Sequence, residues 1–335
     1  MSLLDILLGH PLSTRDERGQ RIALAAGVAV FGLDALSSAA YGPEAALTVL
    51  RPLGVLGGAY ILPLSLGIIG LLAIVFVSYR QTIEAYPAGG GSFTVARENL
   101  GNFPGLLAGA ALMIDYILNV AVGISAGVGA LVSALPSLHA HTLGLCLAIL
   151  AIITMVNLRG LREAGLIFLA PTYLFVGTLT LMILIGAIKA LLAGGTPTPV
   201  VAPLPFPPVT AAVGVWLMLK AFSSGCTALT GVEAVSNGVL AFQEPAVQTA
   251  RKTLAAIIAI LILLLGGIAW LAQILPHWRC RSWRGRVSKH ALAVARRRLR
   301  QGAVLLRGDV VDRAGAGVLR QHLLCRLSAA LQYHL

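Results

Sequence analysis

The sequence predicts an all-α polytopic membrane protein of about seven transmembrane helices, the first and sixth of them broken. Three observations predict it: an apolar composition, a run of segments of spanning length, and two interruptions that echo each other. Of 335 residues, 57% are hydrophobic and only 11% charged, with a mean hydropathy of +0.86. A water-soluble domain of this length has too little interior to hide that much apolar surface.

The segments that can each cross a hydrocarbon core of about 30 Å run 22–50, 54–78, 104–134, 141–157, 165–190, 210–241 and 254–275. Before them, residues 1–20 hold too short an apolar run, with the wrong charge order, for a cleaved signal peptide. Basic residues then set the orientation, because cytoplasmic loops collect Lys and Arg. Arg15, Arg18 and Arg21 precede the first span, Arg80 and Arg97 follow the second, Arg159 and Arg162 follow the fourth, and Arg251 with Lys252 follow the sixth. The opposite ends carry Arg51 and Lys189. The expected N-terminus is therefore cytoplasmic, and the Pro-rich stretch 194–208 becomes a stiff outer loop.

The first and sixth spans are unusual in the same way. GLDALSSAAYGPEAAL (32–47) places two serines, a glycine and a proline in mid-segment, and SSGCTALTGVEAVSNG (223–238) does much the same. Gly42-Pro-Glu-Ala45 is echoed by Gly231-Val-Glu-Ala234. Such pairs point to an inverted-repeat transporter whose broken helices expose backbone groups to a midplane site. The alternative is close helix packing through small residues.

Packing alone leaves the acids unaccounted for. Asp34, Asp115 and Glu233 each interrupt an otherwise apolar span, and a carboxylate within a membrane is expensive unless it serves a cation or a proton. At about 1.5 Å of rise per residue, Asp34 lies about 18 Å into its span and Asp115 about 16 Å into its own, near half depth. Asn119 is one turn beyond Asp115. Asp34 has an alternative use as a helix N-cap. Glu44 follows Pro43 and reads as an acid at a helix start. Lys220 is expected to reach out to the surface.

The motifs Gly32-Leu-Asp-Ala-Leu-Ser-Ser-Ala-Ala-Tyr-Gly-Pro-Glu44, Tyr86-Pro-Ala-Gly-Gly-Gly-Ser-Phe-Thr-Val-Ala-Arg-Glu-Asn-Leu-Gly101, Asn157-Leu-Arg-Gly160 and Thr227-Ala-Leu-Thr-Gly-Val-Glu-Ala-Val-Ser-Asn-Gly238 resemble permeases of the amino acid–polyamine–organocation (APC) superfamily. Within it the likeness is to the Kup- and KimA-type potassium–proton symporters. The resemblance covers residues 20 to about 275. It implies a LeuT-like fold of two inverted five-helix repeats, here a first repeat over 21–192 and a partial second over 209–275.

Residue by residue, it implies a cation site of Asp34 and Tyr41, Asp115 and Tyr116, and Thr230 with Glu233, to which Asn119 adds an amide oxygen where such symporters tend to carry a hydroxyl. Glu233 and Asp34 are the expected proton-coupling groups, since a proton and a cation compete for one carboxylate. Gly89, Gly90 and Gly91 let the second cytoplasmic loop run close to the helices, and Arg97 with Glu98 form an expected ion pair at an inner gate.

The expected function is proton-coupled uptake of K⁺. The alternatives are proton-coupled uptake of an amino acid or other organic cation, and a non-transporting membrane-anchored basic protein. No cofactor is expected beyond a bound K⁺ at the same site. The expected partners are the bilayer and the small cation, with a homodimer left open and no nucleic acid. The expected location is the inner or plasma membrane. Four cysteines without a CxxC pair and seven histidines without ligand spacing argue against a metal site or a disulfide framework. The GGG loop lacks the strand and the Lys-Ser or Lys-Thr of a phosphate-binding loop, and no Ser/His/Asp or Cys/His set points to an enzyme.

Residues 276–335 are a different text, with thirteen Lys or Arg against Asp309 and Asp312. They contradict the charge rule that every earlier loop obeys. The expectation is a shifted reading frame that truncates a longer permease, with a lipid- or nucleic-acid-binding basic segment and a variant architecture as alternatives.

Overall fold

The computed structural model describes residues 21–54, 56–158, 161–194, 209–210 and 212–274. The N-terminal segment 1–20, residues 195–208 of the Pro-rich stretch and the basic tail 276–335 lie outside the described residues, as do Arg159 and Gly160.

In chain order the α-helices are α1 (Leu24–Phe31), α2 (Leu33–Leu50), α3 (Leu56–Ala59), α4 (Ile61–Ala85), α5 (Gly91–Leu100), α6 (Asn102–Ala134), α7 (Thr142–Leu158), α8 (Leu161–Leu192), α9 (Val215–Gly225), α10 (Ala234–Asn237) and α11 (Ala246–Ile274). Short 3₁₀ turns join several of them, and the described residues contain no strand beyond one isolated bridge, Ile22 with Phe242. Five stretches are long and apolar enough to cross a membrane, and α1 with α2, bent by 51°, makes a sixth. The remaining expected span is the shorter apolar helix Val215–Leu229 followed by fragments. The molecule is an all-α, multi-pass membrane protein.

The described residues form two compact units. One holds those within Met1–Tyr116 and Ala151–Trp278, and the other those within Ile117–Leu150. In the second unit, the last part of α6 leads through a 3₁₀ turn, Pro136–His141, into α7. Leu143, Leu147 and Leu150 are exposed there, as expected of a helix that meets lipid rather than a protein core.

The core of the first unit is built on α11. Its apolar positions Leu254, Ile257, Leu261, Leu264 and Leu265 recur at helical spacing and are fully or almost fully buried. They gather α1, α2, α4 and α8 around them through Val28, Leu36, Leu72 and Ile183. The carboxylate of Glu244 accepts a 3.1 Å hydrogen bond from the first amide of α11, Ala246 N–H, which satisfies one donor at that helix start.

Two expectations need correction. The second span continues as helix to Ala85 rather than ending near residue 78. The largely polar run Ser78 to Glu84, with Ile83 buried in the core, carries it past the apolar stretch until Tyr86, whose position before Pro87 disfavours helix. The second correction concerns the first break. The interruption is at Gly32, and α2 passes unbroken through Ser37, Ser38, Gly42 and Pro43. Gly42 serves packing instead: a Cβ there would meet Ala228 Cβ at 2.6 Å and the Gly225 carbonyl oxygen at 3.1 Å. This is the close helix crossing that small residues permit. Glu44 accordingly lies well inside a helix, and its reading as an acid at a helix start does not hold.

Candidate cation site

Both broken segments put polar groups at one place, by different means. At Gly32 the helical hydrogen bonds persist across the bend: Gly32 N–H donates to the Val28 carbonyl at 3.0 Å and Leu36 N–H to the Gly32 carbonyl at 2.8 Å. Asp34 stands in the first turn of α2, where the helix dipole favours negative charge. It is not the N-cap; that position belongs to Gly32, and no side chain caps the turn.

In the sixth segment the chain unwinds. After α9 and the 3₁₀ turn Cys226–Leu229, Thr230 is extended and Gly231 takes φ +80°, a left-handed conformation that glycine adopts without a Cβ penalty. Gly231 is also required by contact. A Cβ there would lie 2.6 Å from Asp34 Oδ2 and 2.8 Å from the Ala35 nitrogen, so the Asp34 carboxyl rests directly against the unwound backbone. One turn along α2, the buried Ser38 hydroxyl is 2.8 Å from Thr230 Oγ1 and donates at 2.8 Å to the Asp34 carbonyl. Ser37 donates to the same carbonyl at 2.9 Å and pairs with the Tyr41 hydroxyl at 2.7 Å.

The three intramembrane acids are electrostatically coupled. Asp34 lies within the field of the Asp115 charge, and Glu233 within the fields of both Asp115 and Asp34. All three are partly buried. Like charges that sense one another repel unless protons or cations lie among them. The described residues contain no tight group of three acids, histidines or cysteines of the kind that holds a multivalent metal. Asn119, one turn beyond Asp115 along α6, falls in the second unit.

Beneath Glu233 the structure adds Tyr79 and Asn237, which sequence reasoning missed, to the expected Tyr116. Tyr116 and Tyr79 both sense the Glu233 charge. Asn237, at the end of α10, donates from Nδ2 to the Tyr116 hydroxyl at 2.5 Å, while its Oδ1 is buried and unpaired. The glycine loop closes on this residue: Gly90 N–H donates to the Asn237 carbonyl at 3.1 Å. Gly89, Gly90 and Gly91 all have positive φ (77°, 92° and 43°), and a Cβ on Gly89 would lie 2.8 Å from that carbonyl oxygen. Three glycines in a row are thus required both by conformation and by close approach. The signal for Asn237 was available only in the sequence VSNG; nothing there tied it to a loop far away in the chain.

The expected ion pair of Arg97 with Glu98 is not formed. Adjacent residues on α5 point in different directions, and Arg97 lies over the Phe93 ring, 6.0 Å from its centre. The ion pairs among the described residues are Arg21 with Glu244 and Arg251 with Glu84.

Residues 28–276 match the family described as amino acid permease. The chain belongs to this family. It is also 43% identical, over 271 residues, to the potassium transporter KimA of Bacillus subtilis (strain 168). That alignment takes in 81% of this chain and 44% of the relative, so the chain spans less than half the length of the curated relative it matches.

Proposed function

We propose that this permease carries out secondary active, proton-coupled uptake of K⁺, with Asp34, Asp115 and Glu233 as the carboxylates of a site between the two interrupted segments. The Asp34 carboxyl set against the unwound turn at Gly231, with Glu233 two residues on and both acids within the field of Asp115, carries the reading. Hard monovalent cations take oxygen ligands, and Tyr41, Thr230 and backbone carbonyls freed at the break supply them beside the carboxylates. The likeness to a relative named as a potassium transporter agrees with this. Tyr116 and the Gly89–Gly91 loop close the cytoplasmic side, the basic loops marking that side, and no step of this cycle calls for an enzyme or a cofactor.

The family's description favours a second reading, uptake of an amino acid, in which Asp34 would meet the substrate's amino group. A carboxylate against Gly231 repels the substrate's own carboxylate, which disfavours it. The two separate in one experiment: radiolabelled Rb⁺ uptake by the chain in proteoliposomes, competed by K⁺ or by a mixture of amino acids. Competition by K⁺ alone is expected, and competition by amino acids alone would overturn the K⁺ assignment.

Glu233 carries the proton limb. Uptake by the parent chain rises as external pH falls, and in Glu233→Gln it becomes independent of external pH. A pH dependence that survives this substitution removes Glu233 from that role.

A further inference from the structure

Away from the cation site, the start of the sixth segment borders a groove. Leu64 on α4, with Val213, Val215, Met218, Leu219 and Phe222 on and just before α9, lines an apolar hollow of about 450 Å³. Further in, α4 and α9 close on each other, since a Cβ on Gly67 would meet the Phe222 ring at 3.2 Å. An apolar groove on a spanning helix pair faces acyl chains of any kind and by itself selects nothing. The polar groups around this one do select.

No side chain caps the start of α9, and its N-cap residue Gly214 lines the groove. The first amides of that helix are therefore open to an anion, which its dipole also favours. Lys220 is exposed about 7.5 Å further along the helix at 1.5 Å per residue. It pairs with no acid among the described residues, whose ion pairs are those of Arg21 with Glu244 and Arg251 with Glu84. A lysine at that depth reaches out along its own methylenes to keep the ammonium in a polar layer. The tilt of side chains towards a helix start aims it the same way, past Trp216 one turn before. Trp216 is 80% exposed, as suits an aromatic anchor at the membrane–water interface. Arg51, also exposed, follows the end of α2. Its neighbours Leu50 and Leu53 pack with Leu64 and Met218 of the groove wall, and Thr210 N–H donates to the Pro52 carbonyl at 2.9 Å.

We propose that this corner binds an anionic phospholipid of the outer leaflet. One acyl chain fills the groove between α4 and α9, and the phosphate sits at the uncapped start of α9, met by Lys220 and Arg51. Two bases and an open helix start above an apolar slot are the complement of a charged headgroup above a hydrocarbon tail. The proposal is separate from the cation-site reading and uses only the orientation set by the basic loops.

The test reads Trp216 in the full chain, held in phosphatidylcholine nanodiscs into which an acyl-brominated lipid is titrated, either phosphatidylglycerol or phosphatidylcholine. Bromine quenches an indole on contact, and the same titrations of Trp216→Phe subtract the signal of Trp270, Trp278 and Trp283. Brominated phosphatidylglycerol is expected to reach half-maximal quenching of Trp216 at a several-fold lower mole fraction than brominated phosphatidylcholine. Lys220→Gln is expected to erase most of that preference and Lys220→Arg to keep it, with Arg51→Gln weakening it less. Equal quenching by the two lipids would show ordinary bilayer contact and overturn the site. Quenching by neither would show the groove covered by protein, such as a second copy of the chain, and would overturn it equally. A preference that survives both Lys220→Gln and Arg51→Gln would overturn the placement of the phosphate.

Discussion

The two interrupted segments look alike as text and are built differently. The first is a hinge: Gly32 bends the chain by 51° yet keeps its helical hydrogen bonds, with φ −92° and ψ −12° that any residue can adopt. The sixth is a rupture: a 3₁₀ turn, an extended Thr230, a left-handed Gly231 and then one short turn of helix. A hinge places a side chain, here Asp34 in the first turn of α2. A rupture frees backbone groups, here beside Gly231, against which that side chain rests. The proposed site uses one of each, so the two segments are not interchangeable.

The largest expected effect breaks the rupture. Gly231→Ala puts a Cβ into the left-handed region, at a cost of order 1–3 kcal/mol, and within 2.6 Å of Asp34 Oδ2. Gly32→Ala keeps an ordinary right-handed backbone, but its Cβ would meet the Val28 carbonyl oxygen at 2.4 Å and Ile257 Cγ1 at 3.1 Å, so its cost is steric and falls on the bend. Gly231→Ala is expected to abolish Rb⁺ uptake, because its Cβ enters the place of the Asp34 carboxyl, whereas Gly32→Ala is expected to lower thermal stability in detergent while leaving measurable uptake. Equal losses of uptake would mean that the bend at Gly32 matters to transport as much as the unwound turn does.

Next comes the side chain that the hinge places. Asp34→Asn keeps the shape and removes the charge, and uptake is expected to fall more than tenfold, with Asp115→Asn doing the same. The fold should tolerate both, since removing one of several mutually repelling charges relieves strain in the apo site. A thermal stability equal to or above that of the parent chain, together with lost uptake, is the signature of a binding role. A large loss of stability would instead make these acids structural.

How much of this was legible beforehand divides along the same line. The rupture was legible, because Thr-Gly-Val-Glu inside an apolar run has few other readings, and so were the acids, because a charge in a spanning segment stands out against its neighbours. The hinge was misplaced. Gly42-Pro43 carries the stronger breaker signal, yet the packing of Gly42 on Gly225 and Ala228 holds α2 straight, and the bend falls on a glycine with no proline beside it. Local propensity lost to tertiary contact. Asn237 and the GGG loop were invisible as a pair for a related reason, since their hydrogen bond joins residues nearly 150 positions apart. The Arg97 pairing failed because neighbours along a helix do not face each other.

A smaller effect sharpens the link between the segments. Ser38 and Thr230 share a 2.8 Å hydrogen bond, with Ser38 buried and Thr230 partly so. Ser38→Ala deletes one partner, and a hydrogen bond of this kind contributes about 1 kcal/mol net. The expected result is a several-fold rise in the Rb⁺ concentration for half-maximal uptake, with little change in maximal rate. Thr230→Ala should do more, because Thr230 is also proposed as a ligand. In the double substitution the effects should fall short of additive, as they do for residues in contact. Strict additivity would show that the two hydroxyls act independently and that the hinge and the rupture are not coupled there.

The smallest effect lies where the first of the two segments begins and the other ends. Just before α1, Ile22 N–H donates to the Ala241 carbonyl at 2.9 Å and Gln243 N–H donates to the Ile22 carbonyl at 3.0 Å. Beside that bridge Arg21 pairs with Glu244, whose other carboxylate oxygen caps α11. The ion pair is well exposed on the Glu244 side, at 70%, and exposed pairs contribute about 0–1 kcal/mol, screened by salt. Arg21→Ala is expected to shift thermal stability by only a degree or two and to lose that difference at high salt. Glu244→Ala should cost more than Arg21→Ala, because it removes the cap as well as the charge, and salt should not erase the excess. If the two substitutions are equal, the cap contributes nothing, and the backbone bridge alone holds the hinge to the rupture at this end.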